Sequence, residues 1–293
     1  MARCSKMQIR KAVITAAGPS QRRLPLQSLV DRDGVERSVL NILVDRIVQA
    51  RLEEICVVIA PGDERAYRSA VGDHAGRVRF VEQEQPKGYG HAIYCAREFV
   101  GEHPFLHLMS DHIYVGGAGE SCTGQLIAAA ETEECSVSAV QATREGLLPS
   151  FGAIGGQQIP GHADLFKVET VIEKPTPTQA EQELIVPGLR SGHYLCFSGM
   201  HVLTPAVMTI LGELLDKNPS ERFSLSAALA ELVQREKYLA MRTTDRRVDL
   251  GARYGPFIAQ LLLAITGQDK AELLMQIVEA LALRGNSDVR TAR

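Results

Sequence analysis

From Lys11 to Met109, short β-branched runs alternate with stretches of helical period, and this alternation constrains the fold more than any other feature. Lys11–Thr15 is apolar and β-branched and leads through two alanines to Gly18, as a buried strand feeding a turn would. Across residues 39–50, Val39, Leu40, Ile42, Leu43, Ile47 and Val48 recur at helical spacing. Residues 54–60 read as a second strand, stopped by Pro61-Gly62. A helix near 63–71, a strand at 78–81, a helix over 90–99 and a strand over 105–109 continue the series. Strand and helix in this order predict an α/β fold, a parallel sheet with helices on both faces.

The second half is less regular. A helix is expected at 125–131, a strand at 135–141, and a hairpin-type excursion from 151–154 and 165–168. A polar loop follows Pro175, then a strand over 192–202 and an amphipathic helix over 225–234. Residues 257–266 and 270–283 form a helical tail, with Gly267-Gln268-Asp269 as turn and N-cap. The chain thus reads as one α/β domain over 8–255 and a C-terminal helical extension over 256–287. The apolar positions of the extension suit either a homo-oligomer contact or packing on their own core.

Bulk properties exclude several classes. A net charge of -3 gives no general reason to expect nucleic acid or a membrane surface as partner. Arg242, Arg246, Arg247 and Arg253 cluster locally, which suits a phosphate-bearing substrate and a solvated loop about equally. The six cysteines are scattered without a C-x-x-C pair, so zinc is not expected and a reducing cytoplasm is. Cys56 sits inside an apolar run and reads as a small buried hydrophobe. The basic start is followed only by Ala12-Val13-Ile14, too short for a signal-peptide core, and no segment reaches the ~18 apolar residues of a membrane span.

Ligands of a parallel sheet bind beyond the carboxyl ends of its strands. After the first strand comes Ala16-Ala17-Gly18-Pro19-Ser20-Gln21-Arg22. Small residues there admit backbone N–H groups to a polyphosphate, and Arg22 or Arg23 can neutralise it. The turn is neither a Walker A loop nor a G-x-G-x-x-G turn. After the third strand, Gly88 and Gly90 can admit a base, with Gln83 or Gln85 reading its edge. After the fourth comes Ser110-Asp111-His112, where Asp111 is placed to hold Mg²⁺ beside phosphates. His112 could donate to a phosphate, but a surface position is the simpler expectation. Asp249 offers a second carboxylate, and Glu173-Lys174-Pro175 pairs a carboxylate for hydroxyls with an ammonium for phosphate.

Taken in order, AVITAAG, LVDRDG, EEICVVI, KGYGHA with its downstream strand ending in Asp111, FGAIGG, VIEKPTP, SGHYLCFSGMHVL and DLG resemble the sugar-1-phosphate nucleotidyltransferases. The resemblance is nearest to the bacterial UTP–glucose-1-phosphate uridylyltransferases. It implies a Rossmann-like, mixed but mainly parallel sheet of the glycosyltransferase-A type. It also implies Mg²⁺-assisted transfer of UMP from UTP to glucose 1-phosphate. By position, Ala17 and Gly18 would hold the nucleotide, with Arg22 and Arg23 on its phosphates, and Gln83 and Gly88 would contact the uracil. Asp111 and Asp249 would carry the metal. Gly152, Glu173, Lys174 and Gly192 would form the sugar-phosphate pocket. Arg22, Lys174 and Asp111 would be the catalytic set.

The phosphate loop departs from the family pattern. That pattern is G-x-G-T-R, a proline, then Thr-Lys and Pro-Lys pairs before L-V-D. Here PSQRRLPLQS alone separates Gly18 from Leu29-Val30-Asp31, so the loop is short and lacks its lysines. Ser20 replaces the second glycine and Gln21 the threonine. His193 stands where the family carries arginine near the sugar, and Leu225-Ser226-Ala227-Ala228 lacks the usual acidic residue. A catalytically impaired homologue that binds nucleotide sugar as a regulatory or interaction protein, and an enzyme using another NTP or sugar 1-phosphate, are the alternatives.

Overall fold

The structure is a computed structural model that describes residues 6–117, 119, 121–217 and 222–290. In chain order come β1 (Lys11–Thr15), β2 (Ser28–Val30), β3 (Glu36–Ser38), α1 (Val39–Gln49), β4 (Glu54–Ile59) and α2 (Glu64–Val71). Next are β5 (Val78–Glu82), α3 (Tyr89–Cys95), α4 (Arg97–Val100), β6 (Phe105–Met109), β7 (His112–Val115) and α5 (Cys122–Glu133). β8 (Ser136–Arg144), β9 (Gly152–Gln158), β10 (Leu165–Glu173), α6 (Pro177–Glu183), β11 (His193–Leu203) and α7 (Ala206–Lys217) follow. The chain ends with α8 (Leu225–Arg235), β12 (Tyr238–Arg242), β13 (Arg246–Asp249), α9 (Gly255–Thr266) and α10 (Lys270–Arg290).

The main sheet has nine strands in the order β5-β4-β1-β6-β11-β8-β12-β10-β9. The first four are parallel, and β11 enters antiparallel to β6, so the sheet is mixed. Alternation along β1 and β4 divides their side chains between two cores. Ala12, Ile14, Ile55 and Val57 face a cluster built with α1, α2, α5 and α9. Val13, Cys56 and Val58 face a second cluster built with α3, α4, α7 and α8. Helices on both faces explain why these strands read as unbroken apolar runs. Cys56 is fully buried, as its run implied, while Cys4 lies outside the described residues.

Several local expectations change. The stretch 90–99 is two short helices that break at Ala96. The polar loop after Pro175 contains α6, whose Thr176 and Gln179 form a capping box. The short strands β2, β3, β7, β12 and β13 and the helix α7 add elements that the periodicity reading omitted. In the C-terminal segment, Ala259 and Leu263 of α9 are buried in the first core, whereas Met275, Val278 and Leu281 of α10 are exposed. Among the described residues no helix is long and apolar enough to cross a membrane.

Candidate active site

The turn after β1 is held from beneath by α2. The Tyr67 hydroxyl lies 3.1 Å from the Ala16 carbonyl oxygen and donates to that of Arg22 at 2.5 Å. Gln21 and Arg22 both donate their N–H to the Gly18 carbonyl, which closes the turn tightly. Beside it lies a cavity of about 200 Å³, lined by Ala17, Gly18, Gln21, Gln83, Gly88 and Asp111 among others. The Gln83 amide nitrogen donates to the Gly88 carbonyl at 3.2 Å and lies 2.9 Å from His91 Nδ1, which fixes the carboxamide. Gly88 has φ of 101°, and a Cβ there would come within 2.7 Å of the Phe223 carbonyl oxygen. No side chain fits between this turn and the segment that covers it.

A second cavity, about 290 Å³, opens at the end of β10. Glu173 pairs with Gly152 across the β9–β10 ladder, and its carboxylate accepts a 2.5 Å hydrogen bond from Ser226. A Cβ at Gly152 would come within 2.5 Å of Ser226 Oγ and 3.0 Å of the Glu173 carboxylate. Lys174 has φ of 48°, and its N–H donates to the Phe151 carbonyl at 3.1 Å. A left-handed, non-glycine residue costs energy and persists only where its surroundings hold it. Here the backbone bend delivers the ammonium side chain to the cavity wall. Arg247 lines the same wall, its guanidinium 4.1 Å from the centre of the Phe151 ring.

Gln21, Tyr89, Met109 and Asp111 line both cavities, so the two adjoin at the end of β6. The β7–β13 ladder places Asp249 opposite His112, and the Leu250 N–H donates to the Asp111 carbonyl at 2.8 Å. Potential ligand atoms of Asp111, His112 and Asp249 consequently lie within 4.8 Å of one another. Burial, reinforced by Asp249, pushes the Asp111 carboxyl up to about 6. Burial and then Arg247 push the His112 imidazole down to about 3, so it is neutral near pH 7. His112 is not at the surface as expected. It is 5% exposed, and its Nδ1 has no hydrogen-bond partner. Two carboxylates with an imidazole ligand atom within 4.8 Å suit a divalent cation, and the carboxylate oxygens fit Mg²⁺.

The structure thus gathers Ala17, Gly18, Gln83, Gly88 and Asp111 around one cavity. It gathers Asp111, Gly152, Glu173, Lys174 and Asp249 around the other. Arg22, Arg23 and Gly192 line neither. Arg22 is turned to Asp63, with Nε 3.4 Å from the carboxylate, and Arg23 is exposed. The Gly192 carbonyl accepts from the Glu145 N–H at 3.0 Å, and His193 lies 3.3 Å from the Ser191 carbonyl, so that turn is occupied with its own backbone. Sequence reasoning missed Gln21, Tyr89, Arg222 and Ser226 as lining residues. Tyr89 lay within the glycine-rich segment already singled out, and Ser226 on the amphipathic helix, but nothing local marked either. Of the local arginine cluster, Arg247 alone lines either of these two cavities, while Arg242 pairs with Asp164.

The chain has relatives of known name and neighbours of known structure. The chain is 23% identical over 311 residues to the UTP–glucose-1-phosphate uridylyltransferase YngB of Bacillus subtilis, covering 97% of this chain and 99% of that protein. It is 24% identical over 273 residues to a UTP–glucose-1-phosphate uridylyltransferase of Pseudomonas aeruginosa, covering 84% and 93% respectively. Its fold matches a UTP-bound UGPase from Acinetobacter baumannii with a TM-score of 0.71 at 23% identity, over 93% of this chain and 99% of that one. A UDP-glucose pyrophosphorylase complexed with UDP-glucose matches with a TM-score of 0.70 at 20% identity, over 87% and 98%. The family model described as Nucleotidyl transferase matches residues 11–253, most of the chain, and the chain belongs to that family.

Proposed function

We propose that this protein transfers UMP from UTP to glucose 1-phosphate, giving UDP-glucose and pyrophosphate. The observation that carries the reading is the meeting of two differently lined cavities at Asp111, with Asp249 beside it. The first offers the backbone of Ala17 and Gly18 to phosphates and an immobilised Gln83 carboxamide to a base. The second offers the Glu173 carboxylate to hydroxyls and the Lys174 ammonium to a phosphate. The names of the uridylyltransferase relatives support the choice of UTP and glucose 1-phosphate.

The chemistry needs little from the protein beyond alignment and charge. An oxygen of the sugar phosphate attacks the α-phosphorus in line while pyrophosphate leaves on the opposite side. That oxygen is already ionised near pH 7, so no general base is required. Lys174 holds the attacking phosphate, Glu173 orients the ring, and Gly88 with Gln83 fixes the base so that the α-phosphate falls at the junction. Mg²⁺ held by Asp111 and Asp249 would supply charge neutralisation at the phosphate oxygens. The adjoining cavities keep the two substrates on a common wall.

A second reading, a homologue that binds nucleotide sugar without turnover, is favoured by one observation: Arg22 is paired with Asp63 outside the cavity. Pyrophosphate release separates the two. UTP, glucose 1-phosphate and Mg²⁺ should give turnover, and a panel of NTPs against several sugar 1-phosphates should single out that pair. If no pair turns over while UDP-glucose still raises the melting temperature, the enzyme reading fails and the binding protein remains.

A further inference from the structure

We infer that Arg247 is a second binding residue for the sugar phosphate, lining with Lys174 the cavity at the end of β10. This rests on the proposed reaction for the identity of the ligand, but the geometry is independent of it. Arg247 lies on β13, two residues before Asp249, and lines the same cavity as Glu173 and Lys174. Its guanidinium stacks over Phe151 at 4.1 Å, and Nη1 donates to the Phe197 carbonyl at 2.9 Å. These two contacts fix the plane of the fork. Its Nε is buried without a hydrogen-bond partner. Among the described residues no ion pair includes Arg247, although Asp111 and Asp249 line the same cavity.

A largely buried guanidinium without a carboxylate at ion-pair distance, compensated only through space by Asp249 and Asp111, is open to an incoming anion. Arginine presents several donors in a rigid fork that suits phosphate oxygens, and here Nη1 is held by the Phe197 carbonyl while Nη2 makes no ion pair or hydrogen bond among the described residues. Lys174 alone brings one positive charge to a group that carries close to two negative charges near pH 7. With the lysines of the phosphate loop absent, Arg247 is the other cationic side chain on the wall of this cavity. The phosphate of glucose 1-phosphate is accordingly met by two cationic side chains in the cavity that Asp111 also lines.

The test compares full-length wild type with Arg247→Met, which preserves packing on Phe151 and removes the fork, and with Arg247→Lys. The Met variant should raise KM for glucose 1-phosphate about tenfold or more while KM for UTP stays within about twofold. Arg247→Lys should fall between the two, because it restores the charge and not the paired donors. Thermal-shift titration with glucose 1-phosphate, with and without a non-hydrolysable UTP analogue, reads binding without turnover. Wild type should gain melting temperature and the Met variant should not. If the Met variant fails to fold, the Lys variant carries the same comparison. Unchanged KM and an unchanged thermal shift in a folded variant overturn the inference, as does a wild type that glucose 1-phosphate never stabilises. A wild type that is stabilised through Arg247 but turns over no NTP overturns the proposed reaction and leaves this inference standing.

Discussion

Arg22 and Asp63 form an ion pair, with Nε 3.4 Å from the carboxylate, that ties the arginine of the turn after β1 to the start of α2 and away from the proposed nucleotide cavity. The pair is partly exposed, with Arg22 at 39% and Asp63 at 20%, so it adds little to stability. Its consequence is electrostatic: a charge available to a triphosphate is already engaged. Asp63→Asn should release Arg22, lower KM for UTP by about two- to fivefold, and change the unfolding free energy by less than about 1 kcal/mol. An unchanged KM would show that Arg22 does not serve the nucleotide even when freed.

Asp111 sets a conflict between stability and function. Its carboxyl sits at about 6 in the folded protein, against an ordinary 3.8, because burial and Asp249 both penalise the charged form. Between those two values the native state binds more protons than the unfolded state, so this group makes stability fall as pH rises towards 6. Above that window the ionised group costs up to about 3 kcal/mol. Asp111→Asn should therefore raise the metal-free melting temperature near pH 7.5 and abolish turnover. In wild type, Mg²⁺ should raise the melting temperature at pH 7.5 and do so much less at pH 5. A variant that loses stability, or retains near-normal activity, contradicts the assignment.

The sequence was readable where one strand or helix decides its own environment. β1, β4 and β6 are apolar on both faces because helices cover both sides, and that pattern shows in the residues themselves. The capping box at Thr176 and Gln179 was equally visible, yet the proline-containing stretch masked α6. β7 and β13 were not readable, since each has four residues and gains its form only by pairing with the other. That pairing brings Asp249 to His112; the residues alone offered Asp249 as a second carboxylate, and the resemblance supplied its pairing with Asp111. The position of Arg22 was hidden for a similar reason. Whether an arginine faces a ligand or a carboxylate on another helix depends on tertiary neighbours that no local motif records.

Gly152 tests the sugar side of the site. An alanine there would press its Cβ on Ser226 and Glu173, which are joined by a 2.5 Å hydrogen bond. The serine can rotate away, but only by releasing the carboxylate from its fixed orientation. Gly152→Ala should raise KM for glucose 1-phosphate several-fold, on the order of 1 kcal/mol, with KM for UTP little changed. Equal effects on both substrates would place the damage in the fold instead of the sugar cavity.

Arg222 tests the nucleotide side, where the shortened loop leaves a deficit of positive charge. It is the one cationic side chain lining the first cavity among the described residues. Its neighbour Phe223 holds the segment in place, since the Gly90 N–H donates to the Phe223 carbonyl at 3.1 Å and the Phe223 N–H to the Lys87 carbonyl at 3.4 Å. The backbone is thereby fixed across the entrance of α3 while the exposed side chain can reach a phosphate or solvent. An exposed cation acts mainly through a screened Coulomb field, so its effect should be modest and dependent on salt. Arg222→Ala should raise KM for UTP about three- to tenfold at low ionic strength, and the difference should shrink as salt is added. Arg222→Glu should be worse than alanine, because it places a carboxylate beside the incoming triphosphate. If both variants bind UTP as wild type does at every salt concentration, Arg222 does not hold the triphosphate.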